Sequence, residues 1–306
     1  MPEEIIHQKH RLSSFQIIIS GFVGVILLGA LLLMLPVSTT EGCITPFNET
    51  LFTATSAVCV TGLVVQDTGS YWSGFGQAVI LALIQIGGLG VTSIGAGVIL
   101  AMGRKLDLKG RRLIREASNL DSNKGIVRFI KSVLLTTFII EFTGAVLSFF
   151  VFIQDYPLQK AIGISLFHSV AAFNNSGFDI LGNLQNLIPY QNNIMLNLVT
   201  CGLIFFGGIG FLVIREMWQY RLSFRKYSMH AKVVLSVSGV LIIVGTLLLK
   251  LTEDVTWLGA FFHSVSARTA GFSTYPLGTF SNAGLLVLTA LMFIGASPGS
   301  TGGGIK

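Results

Sequence analysis

The most constraining feature of this sequence is a series of six apolar stretches that carry almost no charge. They cover residues 15–35, 76–102, 132–153, 193–214, 233–249 and 283–296. A bilayer core of about 30 Å is crossed by roughly 20 apolar residues in a helix. Only 11% of the 306 residues are charged, against about 25% in soluble domains. The sequence therefore predicts an all-α polytopic membrane protein and excludes an ordinary soluble enzyme.

Basic residues lie in alternate connecting segments. Lys and Arg are concentrated at the N-terminus, between residues 104 and 131, and between residues 215 and 232. Short cytoplasmic loops carry an excess of these residues. We therefore expect a multi-pass protein of the cell membrane with a cytoplasmic N-terminus. The net charge of +6 then reflects topology, and no nucleic-acid partner is expected.

Three outer segments resemble one another. Residues 51–63, 166–178 and 261–272 each combine a short apolar run with a glycine followed by a large apolar residue, and His-Ser-Val recurs at 168–170 and 263–265. Each repeat predicts a span, a short helix with an extended segment, and a second span. The units are placed at residues 1–126, 127–230 and 231–306, with basic loops closing the first two.

The apolar runs in these three outer segments are too short to cross a bilayer. We therefore expect each segment to enter the membrane and return to the same side. Non-helical backbone at membrane depth is tolerated where it is buried in protein or lines water. The carboxyl ends of short helices carry partial negative charge, and extended backbone presents carbonyl groups that stabilise a dehydrated cation. The three repeats therefore indicate a shared aqueous axis that accommodates cations.

The repeated unit resembles the helix–pore loop–helix of potassium channels, whose filter reads Thr-Val-Gly-Tyr-Gly. The counterparts are Val60-Thr61-Gly62-Leu63, Asn175-Ser176-Gly177-Phe178 and Thr269-Ala270-Gly271-Phe272. Several non-identical units in one chain are similar to the Trk/Ktr/HKT superfamily of potassium transporters, and within it to KtrB-type membrane subunits. Sodium-favouring plant members have serine at the first filter glycine, so Gly62 favours potassium.

This resemblance implies the site residues and the fold. The filter would consist of Val58, Cys59, Val60, Thr61, Gly62, Phe173, Asn174, Asn175, Ser176, Gly177, Ala267, Arg268, Thr269, Ala270 and Gly271. An intramembrane gate would consist of Gly299, Ser300, Thr301, Gly302, Gly303 and Gly304. Superfamily members have four units around a pseudo-fourfold pore. Three units, the last incomplete, lead us to expect a fragment of a longer protein.

Glycine and proline predict where the second helix of the third unit breaks. Pro298 lies among five glycines between residues 295 and 304, and proline costs a helix interior about 3 kcal/mol. We expect the second helices of the first two units to continue through the membrane. The glycine-rich segment lacks the Gly-Lys-Ser/Thr ending of a nucleotide-binding P-loop.

The resemblance also implies partners and ions. The membrane subunit would form a homodimer beneath which a cytosolic KtrA-like ring binds nucleotides, while the basic loops contact that ring or anionic lipid. Potassium would bind the filter carbonyls as the transported ion, with sodium as a coupling or activating ion and no cofactor in this chain. Alternatives are a sodium or mixed transporter of the same superfamily, a secondary transporter with broken helices, and an intramembrane enzyme, for which no Ser/His or paired-Asp arrangement recurs.

Three single residues allow contrasting interpretations. Arg268 aligns with Cys59 and Asn174, and we expect it to pair with a carboxylate behind the filter rather than to act on the permeating ion directly. Glu141 lies within a span, where a carboxylate is either functional or hydrogen-bonded to a neighbouring helix. The thiol of Cys59 is expected to pack behind the filter.

Two histidines and two groups of three glycines are interpreted as structural residues rather than as metal ligands or hinges. His168 and His263 are placed at the start of the short helices, where hydrogen bonding or capping is favoured over metal binding. Small residues on membrane helices more often form packing surfaces than hinges. Packing is therefore expected of Gly87, Gly88, Gly90, Gly207, Gly208 and Gly210.

Overall fold

The computed structural model describes residues 13–102, 108–117, 125–221 and 223–305. These residues form twelve α-helices and no β-strand, which confirms the all-α fold class. The helices are α1 (Ser14–Leu33), α2 (Phe47–Val58), α3 (Gly74–Leu89), α4 (Val91–Ala101), α5 (Leu108–Ala117), α6 (Ile126–Phe152), α7 (Leu158–Phe173), α8 (Ile194–Gly208), α9 (Phe211–Tyr220), α10 (Met229–Thr252), α11 (Trp257–Ser266) and α12 (Asn282–Ile294).

The same order of elements occurs three times. A long helix (α1, α6 or α10) leads to a short helix (α2, α7 or α11), a non-helical segment and a second helix that begins at α3, α8 or α12. Pro46 and Pro157 precede the first two short helices, and the hydroxyl of Thr256 caps the third by accepting from Gly259 N–H. The threonine hydroxyl pairs one of the free N–H groups at the start of its helix, whereas a proline fixes the backbone there without adding a donor of its own.

Among the described residues, α1, α6 and α10 are long and apolar enough to span a membrane, and counting each bent helix pair as one span raises the number from three to five. The second helices of the first two units are broken: α3 and α4 meet at 99°, and α8 and α9 at 105°. The expectation that these helices continue was therefore wrong. Gly90 and Gly210 lie at the breaks with φ of 81° and 90°, a backbone conformation that glycine adopts without steric cost.

The glycines before each break are packing positions. A Cβ atom at Gly87 would lie 2.0 Å from Val58 O, and one at Gly207 would lie 1.8 Å from Phe173 O. Gly88 packs in the same way against the side chain of Asn174. The packing interpretation is thus confirmed for these three glycines. Gly210, which precedes α9, is also closely packed, since a Cβ atom there would lie 2.8 Å from Pro298 O, whereas Gly90 has nothing within 4 Å of its Cβ position.

The core lies where the three units meet. Its fully buried side chains include Ile84, Phe152, Phe173 and Phe262, which come from all three units. Large apolar side chains such as Phe138 (64% exposed) face outward instead. Apolar residues on both the inner and outer faces are typical of helices that are solvated by lipid. This arrangement places the short helices and their following segments at the centre.

Candidate functional site

Each short helix leads into a turn of the same conformation. Val60, Asn175 and Thr269 have φ of 54°, 55° and 76°, and each precedes a predicted filter glycine by two residues. Left-handed backbone is uncommon for residues other than glycine, and for a β-branched residue it is strained. Strained backbone of this kind is concentrated at functional sites. The recurrence of this conformation marks the three segments as equivalent.

The three glycines also have positive φ, of 80° at Gly62, 71° at Gly177 and 80° at Gly271. Left-handed residues at every second position turn successive peptide groups in the same direction, which gathers carbonyl groups on one side. The N–H groups of the intervening residues point back into the short helices. Thr61 N–H donates to Ser56 O, and Ser176 N–H donates to Ala171 O.

The three segments contact one another at these glycines. A Cβ atom at Gly62 would lie 2.4 Å from Ser176 O, and one at Gly177 would lie 3.0 Å from Ala270 O and 3.2 Å from the Cα of Gly271. Real Cβ atoms do not approach a carbonyl oxygen as closely as 2.4 Å. Glycine is therefore required both by conformation and by the space between neighbouring segments.

The second segment is anchored by a buried polar network. The amide of Asn174 donates to Gln85 Oε1 at 2.8 Å and to Glu141 Oε1 at 3.1 Å. Gln85 Nε2 donates to the other carboxyl oxygen of Glu141 at 3.2 Å. Glu141 is 8% exposed, so these bonds satisfy a group that is costly to bury alone. The structure places this carboxyl group behind the second segment, bonded to a neighbouring helix.

Arg268 does not pair with a carboxylate. Its Nε donates to Gly295 O at 3.2 Å, where α12 ends. Within the described ranges the only ion pairs join Arg112 and Arg115 to Glu116. The prediction of a carboxylate partner was therefore wrong. The carboxyl end of a helix carries partial negative charge and unpaired carbonyls, so it provides the acceptor that the sequence did not reveal.

The glycine-rich segment after α12 folds onto the break between α8 and α9. Ser297 N–H and Thr301 N–H donate to Gly208 O and Gly207 O, and Phe211 N–H donates to Gly299 O. These bonds occupy backbone groups that the broken helices leave free. The segment is thus docked against the inner side of the second unit.

Thr301 joins this segment directly to the filter region. Its hydroxyl oxygen lies 3.1 Å from both Phe173 O and Gly207 O, and it accepts a hydrogen bond of 3.2 Å from the amide of Asn175. Thr301 and Asn175 are both buried. The structure therefore brings together one residue of the predicted gate and two residues of the second predicted filter segment.

A cavity of about 280 Å³ lies beside the glycine-rich segment. Its lining combines the helix breaks and that segment: Ile18, Phe22, Gly87, Gly88, Leu89, Gly90, Thr92, Ser93, Phe129, Val133, Phe211, Leu212, Gly299, Ser300, Thr301 and Gly302. The wall is partly hydroxyl and backbone and partly apolar. Such a cavity next to the segments is a place in which a partly hydrated ion can be accommodated.

Two further predictions need correction. In this chain Cys59 is exposed rather than packed behind the predicted filter, and the contact that the second unit makes with this segment lies three residues further on, at Gly62. His168 and His263 lie in the second halves of α7 and α11, which begin before the repeated motif. The two helices start at Leu158 and Trp257.

The hydrogen-bonding role of His168 is confirmed, since its Nε2 lies 2.8 Å from the hydroxyl oxygen of Thr200. His263 instead stacks edge-on against Phe280, with ring centroids 5.2 Å apart. Over the described part of the chain, no three His, Cys, Asp or Glu residues are grouped to hold a metal ion. Sequence reasoning missed Gln85, although a lone amide in an apolar stretch was a usable signal.

Comparison with known proteins gives consistent matches. A profile of the family TrkH, described as a cation transport protein, matches residues 7–236 and 245–306. The chain is 39% identical to the potassium/sodium uptake protein NtpJ of Enterococcus hirae over 97% of the chain and 68% of that protein. It is 36% identical to the Ktr system potassium uptake protein B of Vibrio alginolyticus, over 95% of the chain and 66% of that protein.

A solved structure shows the same fold. The potassium transporter TrkH from Vibrio parahaemolyticus superimposes with a TM-score of 0.66 at 18% sequence identity, covering 97% of this chain and 60% of that one. The chain therefore spans about two thirds of the length of the proteins it matches.

Proposed function

The chain belongs to the TrkH family of cation transport proteins, and on that premise we propose that it carries potassium ions across the cell membrane through a carbonyl-lined filter. The family is one of cation transport proteins, and this supports a transporter rather than an enzyme. The relatives named above are called potassium or potassium/sodium uptake proteins, and these names support potassium as the ion.

One observation carries the proposal. Three non-helical segments lie side by side at Gly62, Gly177 and Gly271, with the carbonyl of one segment beside the glycine of the segment before it. A dehydrated cation is stabilised by several carbonyl dipoles held at fixed separation, without any formal negative charge. The proposed filter comprises residues 58–62, 173–177 and 267–271, and potassium is the substrate that these carbonyls would bind.

Selectivity for potassium over sodium is assigned to the separation of the segments. Gly62 has left-handed backbone and almost no free space beside Ser176 O. A side chain here would push the first and second segments apart and change the spacing of their carbonyls. Sodium would then act as a coupling or activating ion rather than as the preferred cargo.

The glycine-rich segment is assigned the role of gate. Residues 299–304 hydrogen-bond to both the α8–α9 break and the second filter segment, and they line the adjoining cavity. These bonds come from a flexible, glycine-rich backbone that is held by few side chains. Such a segment is able to move out of an ion path at modest cost in free energy.

Assembly and orientation follow from charge and from the family. The basic segments after the second and fourth apolar stretches support a cytoplasmic N-terminus. Relatives named as parts of a Ktr system support a multi-component transporter. We assign a membrane homodimer, a cytosolic KtrA-like nucleotide-binding ring and contacts of the basic loops with that ring or lipid.

Substituting Gly62→Ser tests the filter. Expressed in a cell that lacks its own potassium uptake, the variant should show at least a tenfold lower preference for potassium over sodium, because the hydroxymethyl group displaces Ser176 O. Gly42→Ser is the matched control, since Gly42 also has positive φ (68°) but nothing within 4 Å of its Cβ position. Equal preference in both variants and the parent would refute the assignment.

A further inference from the structure

The loop that follows the second filter segment contacts residues of all three units. In residues 182–186, four of the five residues have left-handed backbone, with φ of 91° at Gly182, 60° at Asn183, 52° at Leu184 and 51° at Asn186. Such a chain path is compact and strained. It persists only where surrounding contacts determine it, and those contacts come from both neighbouring units.

The first unit holds one end of this loop. The carboxylate of Asp67 accepts hydrogen bonds from Asn183 N–H at 3.0 Å and from Leu184 N–H at 3.4 Å. The backbones also approach closely, since a Cβ atom at Gly69 would lie 2.5 Å from Gly182 N. Asp67 follows the first filter glycine along the same outer segment, so this contact ties the loop to the outer end of the first segment.

The third unit holds the other end. Asn186 Oδ1 accepts from Ser273 N–H at 3.0 Å, and Leu187 N–H donates to Ser273 O at 3.1 Å. Ser273 lies two residues after the third filter glycine. The loop is therefore fixed to the third segment through both the N–H and the carbonyl of one residue.

Asn186 also reaches back to its own filter segment. Its Nδ2 donates to Gly177 O at 3.4 Å and to Asp179 Oδ2 at 3.2 Å. The side-chain amide of Asn186 thus connects the carbonyl of Gly177 in the second unit with the backbone N–H of Ser273 in the third unit. Both its oxygen and its nitrogen are used, which leaves it little freedom to rotate.

We propose that Asn186 is a selectivity-determining positioning residue, which sets the distance between the second and third filter segments at their outer ends. The inference rests on the proposed function. A carbonyl filter discriminates between ions through the number and spacing of its oxygens, and Asn186 contacts one such oxygen while bracing the neighbouring segment. No other described side chain hydrogen-bonds to both a filter glycine carbonyl and a different unit.

Two glycine substitutions in the full-length protein test this role. Asn186→Gly removes the amide and keeps a residue that tolerates positive φ, and Asn183→Gly makes the same change three residues earlier, where only the backbone N–H is used. We expect Asn186→Gly to lower the potassium-over-sodium preference of uptake about five- to tenfold, because, of its lost side-chain hydrogen bonds, only the one to Gly177 O acts directly on a filter carbonyl. Asn183→Gly should keep the parental preference.

A second variant separates the two halves of the amide. Asn186→Asp retains an oxygen that can accept from Ser273 N–H and loses the donor to Gly177 O. It is made in an Asp179→Asn background, because the lost donor faces Asp179 Oδ2 and two carboxylates would otherwise meet there. Relative to Asp179→Asn alone, its potassium-over-sodium preference should fall by less than in Asn186→Gly. If Asn186→Gly does not fold, this variant decides the question. An unchanged preference relative to Asp179→Asn, or equal preferences in both glycine variants, would overturn the proposal.

A measurement independent of transport distinguishes this inference from the proposed function. Potassium should raise the melting temperature of the purified parent and of Asn183→Gly more than sodium does, and this difference should disappear in Asn186→Gly. Absence of potassium uptake by the parent would refute the proposed function. If potassium and sodium shift the melting temperature of Asn186→Gly as they shift that of the parent, the role of Asn186 is refuted. It is also refuted if Asn186→Gly melts at an equally lower temperature in both ions while its uptake keeps the parental selectivity.

Discussion

The second filter segment is enclosed, whereas the first is open on one side. Asn174, Asn175 and Ser176 are at most 1% exposed, while Leu63, just after the first filter glycine, is 59% exposed. Cys59, the counterpart of Asn174, is also exposed. Two segments with the same backbone conformation thus have very different surroundings within this chain.

The difference arises from neighbours rather than from local sequence. The second segment lies between the first and third, and it is hydrogen-bonded to Gln85, Glu141 and Thr301. The first segment contacts the second through Gly62. Equivalent positions in the repeats therefore contribute different amounts to the free energy of unfolding. Substitutions at paired positions measure that difference.

The largest expected effect is at the glycine beneath the second segment. Gly207→Ala places a Cβ atom 1.8 Å from Phe173 O, which is buried backbone that cannot move without shifting the filter. We expect a loss of more than about 3 kcal/mol of unfolding free energy, measured by denaturant unfolding in detergent. Gly202→Ala, in the same helix with nothing within 4 Å, should be nearly neutral, and similar losses in both would contradict the packing argument.

Asn174→Ala against Cys59→Ala compares the two segments at equivalent positions. Loss of the Asn174 amide leaves Gln85 Oε1 and one carboxyl oxygen of Glu141 without the buried donor that they share, which should cost about 2 kcal/mol. The exposed Cys59 has no such network, so its substitution should change stability by less than about 0.5 kcal/mol. Melting temperatures of the two variants check this, and comparable shifts would show that enclosure does not decide the effect.

Thr301→Val tests whether the contact between the gate and the second segment restrains ion flow. The variant keeps the shape of the side chain but loses the hydroxyl that joins Asn175, Phe173 and Gly207. Potassium flux should rise about threefold to fivefold, the scale of one hydrogen bond, and deletion of residues 299–304 should raise it further. Thr289→Val is the control, because the hydroxyl of Thr289 donates a hydrogen bond only to Leu285 O in its own helix. Unchanged potassium flux in both Thr301→Val and the deletion would contradict the assignment of residues 299–304 as the gate.

The smallest effect is expected from pH at the outer mouth. Burial, and secondarily the charge of Asp67, raise the pKa of Asp179 to about 6. The carboxyl group is therefore ionised above pH 6 and neutral below it, so its attraction for cations is lost as the outer pH falls. The apparent KM for potassium should rise about twofold to threefold between pH 7 and pH 5, and Asp179→Asn should show the higher KM at both values. A pH response that persists in Asp179→Asn would assign the titration elsewhere.

Much of the architecture is predictable from sequence. The three repeats, the apolar stretches and the filter glycines each follow from hydropathy, from periodic motifs, or from a residue type with a special backbone freedom. The breaks at Gly90 and Gly210 were missed because glycine in a membrane helix either packs or bends, and only the neighbouring contact decides which. The acceptor for Arg268 was missed because it is a backbone carbonyl, and every residue type has one, so the sequence cannot indicate which carbonyl is used.

The sequence by itself determined that the chain crosses a membrane, repeats one unit three times and has a glycine in each re-entrant segment, because lipid solvation and left-handed backbone restrict which residues are allowed. Only the tertiary structure decided which unit is enclosed, that Thr301 contacts the filter segment and that Asn186 bridges two units. Those contacts join residues far apart in the chain, and they depend on how helices pack rather than on any local pattern.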